Sequence, residues 1–210
     1  MKSWSDDHPK AKLMAAKRAA ILAAAHDTFL RCGYEGTSME GIASAAGVSI
    51  MTLYRHAKRK EDLFAAVIVN ACDYSEEHKQ ADHEKLMDLP LQDVLTQVGE
   101  QFQDKLTRPQ TVALLRIVMV ETGRFPQLGD AAYKGFVGVW QDNLGDFLAQ
   151  RTEFSAVSQS TRRVLVADFL NDLIGTDILR VLLGLDGTDK KQCKRRAVFA
   201  ARKLLATLMQ

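Results

Sequence analysis

Between Thr37 and Phe64 the chain reads TSMEGIASAAGVSIMTLYRHAKRKEDLF, and this stretch leaves few folds open. Thr37 followed three residues later by Glu40 has the spacing of a capping box, in which hydroxyl and carboxylate each satisfy an orphaned N–H of the first helical turn, so a helix is predicted from about Ser38. Ile42, Ala43 and Ala46 share one face of that helix, and the two alanines are small enough to admit a second helix closely. Gly47 tolerates the left-handed conformation that ends helices, and the apolar Val48 can plug the gap between crossing helices. Ser49 is an N-cap for a short helix from Ile50 to about Arg55, with Leu53 as its buried anchor and Ile50, Met51, Thr52, Tyr54 and Arg55 projecting elsewhere. Helix, tight turn and short helix together make a helix-turn-helix.

A short second helix of this kind fits the DNA major groove with its N-terminal residues against base edges. The candidate DNA-contacting residues are Thr37, Ser38, Ser49, Ile50, Met51, Thr52, Tyr54, Arg55, His56 and Lys60, with Tyr54, His56 and Lys60 as donors to phosphate. Lys58, Arg59 and Lys60 form a basic run that elsewhere would read equally well as a solvated helix start. Following a helix-turn-helix, it reads as a phosphate-facing surface.

The Thr37 cap, Ile42-Ala43, Ala46-Gly47-Val48-Ser49, Thr52-Leu53-Tyr54, His56 and Lys60-Glu61-Asp62-Leu63-Phe64 together resemble the DNA-binding motif of the TetR family of transcriptional regulators. Phe29, Gly33, Tyr34 and Thr37 match the end of that family's first helix. Two positions depart from the pattern. Ala57 stands where the family has an aromatic, leaving a core position underfilled or filled by Met51 or Phe64, and Arg59 stands where it has a small polar cap.

The chain has 210 residues, 47% of them hydrophobic, enough for a substantial core in one large or two modest domains. Its net charge is +2, so any nucleic-acid surface must come from local clustering, which is visible in the N-terminal third. Three widely spaced cysteines, Cys32, Cys72 and Cys193, have no metal-type spacing and fit a reducing compartment. With neither a signal-like N-terminus nor an apolar run of about 18 residues, the expectation is a soluble cytoplasmic protein without a membrane partner.

Residues 1–12 are expected to form a flexible polar arm, and the helix ahead of the motif is predicted from Leu13 to Cys32, with Gly33 as its stop. A further amphipathic helix is predicted from Glu61 to about His78. His78, Asp82, His83 and Glu84 follow, but the histidines lie five apart on different helix faces, so this segment reads as a solvated connector and not as a metal site. Helices are then expected over Leu91–Leu106, Gln110–Thr122, Pro126–Gln150, Gln159–Leu183 and Lys190–Met209.

The expected fold is therefore all-α: an N-terminal three-helix DNA-binding domain over residues 1–60, and a C-terminal helical domain for ligand binding and dimerisation over residues 61–210. In the last helix Ala197, Ala201, Leu204 and Leu208 form a stripe suited to helix packing, either within one chain or between two. The TetR resemblance implies a homodimer built from the last two long helices. Phe102, Ile117, Phe136, Trp140 and Phe169 are candidate lining for a small lipophilic effector. Gly135, Gly138 and Gly145 fall inside a predicted helix at about 1 kcal/mol each, a cost consistent with close helix approach or with open volume for a ligand. The segment ETGRFPQL, Glu121–Leu128, resembles the C-terminal domain of efflux-regulator-like members of the family.

The resulting expectation is a repressor that binds a palindromic DNA operator as a homodimer and is released by a lipophilic ligand, with no cofactor. A DNA-binding dimer without a small-molecule effector is the alternative. An enzyme is disfavoured by the lack of a nucleophile and base at motif spacing, a phosphate-cradling Gly loop or a metal cluster.

Overall fold

Proline's fixed φ suits the first position of a helix, where its missing N–H costs nothing, and Pro9 opens the first helix, α1 (Pro9–Cys32). The computed structural model describes residues 9–72, 86–187 and 189–208. The expected arm is therefore helical over residues 9–12, and its first eight residues lie outside the described part, as does the connector carrying His78, Asp82, His83 and Glu84.

Gly33, at φ 70°, ends α1. The chain turns into α2 (Met39–Ala45), α3 (Ile50–His56) and α4 (Lys60–Cys72). Gly47, at φ 64°, makes the tight turn between α2 and α3. Ile21, Phe29, Tyr34, Ile42, Leu53, Phe64 and Ile68 are fully buried, forming a core fixed by aromatic contacts: Phe29 meets Phe64 edge-on at 4.8 Å, and Tyr34 meets Phe64 at 5.3 Å.

Downstream come α5 (Leu91–Leu106), α6 (Pro109–Glu121) and α7 (Gln127–Tyr133), then a π turn over Lys134–Gly138, α8 (Val139–Ala149), α9 (Gln159–Ile174), α10 (Asp177–Leu182) and α11 (Lys190–Leu208). Of two long expected helices, one is continuous but carries a π turn and the other is divided. The stretch expected to be one helix over Pro126–Gln150 contains the π turn, where Gly135 lies so close to α4 that an added Cβ would meet Ile68 Cγ2 at 2.6 Å. The stretch expected as one helix over Gln159–Leu183 breaks at Gly175, φ 56°. There the Arg196 guanidinium donates to the Leu173 carbonyl at 3.2 Å and the Ile174 carbonyl at 3.4 Å, and pairs with Asp177, satisfying acceptors that the end of α9 leaves orphaned.

Two compact units result. One combines the chain through Ala71 with Ala113–Gly135, and the other combines Cys72–Val112 with Phe136 onward. The structural division therefore falls eleven residues beyond the expected 60/61 boundary and also returns a later segment to the first unit. In the second unit α11 packs along α5 and α9 around Leu95, Phe102, Leu148, Phe169, Leu173, Ala197, Ala201 and Leu204. Gly99 makes the closest approach possible, since a Cβ there would lie 3.0 Å from both Ala197 Cβ and Leu173 Cδ2.

Candidate nucleic-acid interface

The start of α2 is capped one residue later than the Thr37–Glu40 spacing suggests. Ser38 is the N-cap, its Oγ accepting the Gly41 N–H at 3.0 Å. Thr37 is buried, with its hydroxyl donating inward to the Gly33 carbonyl at 2.7 Å. Burial of its methyl group and use of its hydroxyl as a donor remove Thr37 from the outward-facing set; Ser38 stays exposed.

α3 is capped by Ser49, whose Oγ accepts the Thr52 N–H at 3.2 Å and lies 2.9 Å from the Thr52 hydroxyl. Leu53 is fully buried and anchors the helix, while Met51 is 66% and Tyr54 43% exposed. Arg55 is also exposed, and Ile50, Thr52 and His56 are half-buried at the margins. A large apolar side chain held this far out on a two-turn helix does nothing for the core.

Ala57 is buried. Met51, pointing out, does not fill the space beside it, whereas Phe64 lies wholly in the core. Arg59 replaces a cap with an ion pair. Its guanidinium donates to Asp62 at 3.0 Å, which holds the Asp62 carboxyl below its ordinary range and raises the Arg59 group.

Lys60 differs from the expected phosphate donor. Its Nζ donates to the carbonyls of Tyr34 at 2.7 Å, Thr37 at 3.0 Å and Glu35 at 3.4 Å, and stands 4.4 Å over the Tyr34 ring. The ammonium thus closes the turn between α1 and α2, because carbonyls of that turn converge where α4 begins. Beneath it the Tyr34 hydroxyl is buried and has no hydrogen-bond partner among the described residues. Burial, reinforced by the nearby Glu61 and Glu121 carboxylates, pushes the phenol's pKa far up.

The candidate effector lining is only partly assembled. Phe102 and Phe169 belong to the core of the second unit, with Trp140 packed against it and edge-on to Phe102 at 5.4 Å. Phe136 is buried in the same unit, whereas Ile117 belongs to the other. The stripe Ala197, Ala201 and Leu204 is consumed within the chain, being buried against α5 and α9, and Leu208 packs half-buried against the same core. On α9 and α11 the large apolar side chains left exposed are Val164 (59%) and Phe199 (65%). The sequence reading missed both, and its available signal was that Phe199 falls off the stripe. Cys32 and Cys193 are free thiols, and among the described residues no group of three or more His, Cys, Asp or Glu side chains could hold a metal. No helix among those residues is long and apolar enough to cross a membrane.

Comparison with known proteins agrees with this geometry. Residues 21–67 match the model of bacterial regulatory proteins of the tetR family, and residues 93–202 match that of the AefR-like transcriptional repressor C-terminal domain. The HTH-type transcriptional regulator RutR of Escherichia coli K12 is 42% identical over 64 residues, which span 30% of each chain. A TetR-family regulator structure from Mesorhizobium loti superposes with a TM-score of 0.70 at 23% identity, covering 92% of this chain and 97% of the other. The flavonoid-responsive regulator FrrA superposes with a TM-score of 0.64 at 28% identity, covering 92% and 96%.

Proposed function

Because the chain belongs to the TetR family of DNA-binding transcriptional regulators, whose members are not enzymes, we propose that it is a cytoplasmic repressor reading a two-fold symmetric operator as a homodimer. The observation that carries this reading is α3: a helix capped by Ser49 and anchored by Leu53 that holds Met51, Tyr54 and Arg55 outward. In this reading Ser49, Ile50, Met51 and Thr52 meet base edges. Ser38, Tyr54, Arg55 and His56 meet the backbone. The two-fold axis is placed along the outer faces of α9 and α11, where Val164 and Phe199 stand in solvent. A small apolar effector is received in the second unit beside Phe102, Phe136, Trp140 and Phe169, a role supported by the flavonoid response of FrrA. A DNA-binding dimer without an effector is favoured by one observation, that Phe102 and Phe169 are at most 1% exposed.

Selection of bound fragments from random DNA tests the main reading, with a two-fold symmetric consensus as the expected result. Met51→Ala and Thr52→Ala should then change which bases are preferred. An asymmetric consensus, or preferences untouched by both variants, refutes this assignment of reader and dimer. Thermal-shift measurements with flavonoids separate the effector-controlled from the effector-free form.

A further inference from the structure

The ETGRF stretch belongs to the same compact unit as the helix-turn-helix and contacts the Gly33–Thr37 turn at Tyr34 and Glu35. Phe125 lies edge-on to Tyr34 at 5.0 Å, and the Arg124 guanidinium pairs with the Glu35 carboxylate. The Glu35 amide donates to the Glu121 carboxylate at 3.4 Å, and the Gln127 amide donates to Glu61 at 3.5 Å. From α4, Lys60 holds the carbonyls of Tyr34, Glu35 and Thr37. One short turn is thus gripped by α4 and by the corner between α6 and α7. The turn leads directly into the Ser38 cap, so its placement sets the direction in which α2 leaves and α3 is presented.

We propose that Glu35, Arg124 and Lys60 are positioning residues for operator reading, acting through this turn and not through contact with DNA. The inference rests on the DNA-reading role proposed above. Arg124 and Glu35 have side chains 63% and 59% exposed, and ion pairs at such exposure contribute little to global stability. What the pair does is narrow the orientations available to the reader, and a reader less pre-organised binds its site more weakly.

Glu35→Arg, Arg124→Glu and the double exchange test this by fluorescence anisotropy on the selected operator. Each single variant is expected to weaken binding about fivefold, or ~1 kcal/mol, with an unchanged urea midpoint, while the exchange restores affinity to within about twofold. Long-range charge alone gives a different pattern: Glu35→Arg tightens binding, Arg124→Glu weakens it, and the double variant is their sum. That additive pattern, or single variants with wild-type affinity, overturns the proposal. Lys60→Met should weaken binding while leaving the salt dependence unchanged, and a slope smaller by about 1 assigns Lys60 to phosphate instead. Amide hydrogen exchange over residues 33–37, measured without DNA, should be faster in each single variant than in the wild type or the exchange; identical rates overturn the tie. If the wild type selects no DNA sequence, the DNA-reading role fails, and the exchange rates still decide whether the turn is held.

Discussion

Replacing Gly99 by alanine asks how tightly the second unit is packed. Gly99 lies within α5 and Gly145 within α8, so Gly→Ala carries the same favourable change in helix propensity at both, about 1 kcal/mol. Their surroundings differ. A Cβ on Gly145 meets nothing within 4 Å, whereas on Gly99 it lies 3.0 Å from Ala197 Cβ, 3.0 Å from Leu173 Cδ2 and 3.4 Å from Ala197 Cα. One of these neighbours is backbone and another a methyl fixed directly to it, so relief requires α11 to move away from α5. Overpacking of this kind costs about 1–3 kcal/mol. The propensity change cancels when the two variants are compared, and Gly99→Ala should be less stable than Gly145→Ala by about 1–3 kcal/mol. Against the wild type, Gly145→Ala should be more stable by about 1 kcal/mol, and Gly99→Ala neutral to about 2 kcal/mol less stable. Equilibrium urea unfolding of the three proteins measures both differences. Equal stabilisation by the two substitutions refutes the close approach of α5 and α11.

Ser38→Ala removes the acceptor that caps α2 and should lower stability by about 1 kcal/mol in the same assay; no loss would return the cap to Thr37. Leu204→Asp places a carboxylate in the core of the second unit and should abolish the folded state by circular dichroism, whereas Phe199→Asp on the exposed face of α11 should leave the fold intact and weaken self-association in sedimentation velocity. A folded Leu204→Asp monomer would show the stripe to be intermolecular after all.

Local spacing made most of the helices legible, because caps and stops act over a few residues: Ser49, Gly33 and Gly47 do in the structure what their positions indicate. Failures came where a tertiary neighbour decides. Thr37 and Ser38 offer similar hydroxyls, and only the burial of Thr37 assigns the cap to Ser38. Lys60 reads as a surface cation until the carbonyls from Tyr34 to Thr37 are brought to it in space. The Ala197, Ala201 and Leu204 stripe announces a packed face, but the pattern does not name the covering helices, which are α5 and α9 of the same chain. Gly175 followed by Thr176 and Asp177 carried a usable break signal, a glycine next to two polar residues suited to a helix start, and the Leu- and Val-rich flanks concealed it.

The return of Ala113–Gly135 to the first unit bears on how such regulators can be recombined. Exchanging DNA specificity between two relatives by splicing their N-terminal segments at residue 71 would join a foreign Tyr34 and Glu35 to a resident Phe125 and Arg124, leaving aromatic contact and ion pair to chance. A graft carrying both stretches preserves their complementarity. Substitutions in the turn and in the ETGRF corner should accordingly be inherited together, as a lock is with its key, even when the bases read by α3 have changed.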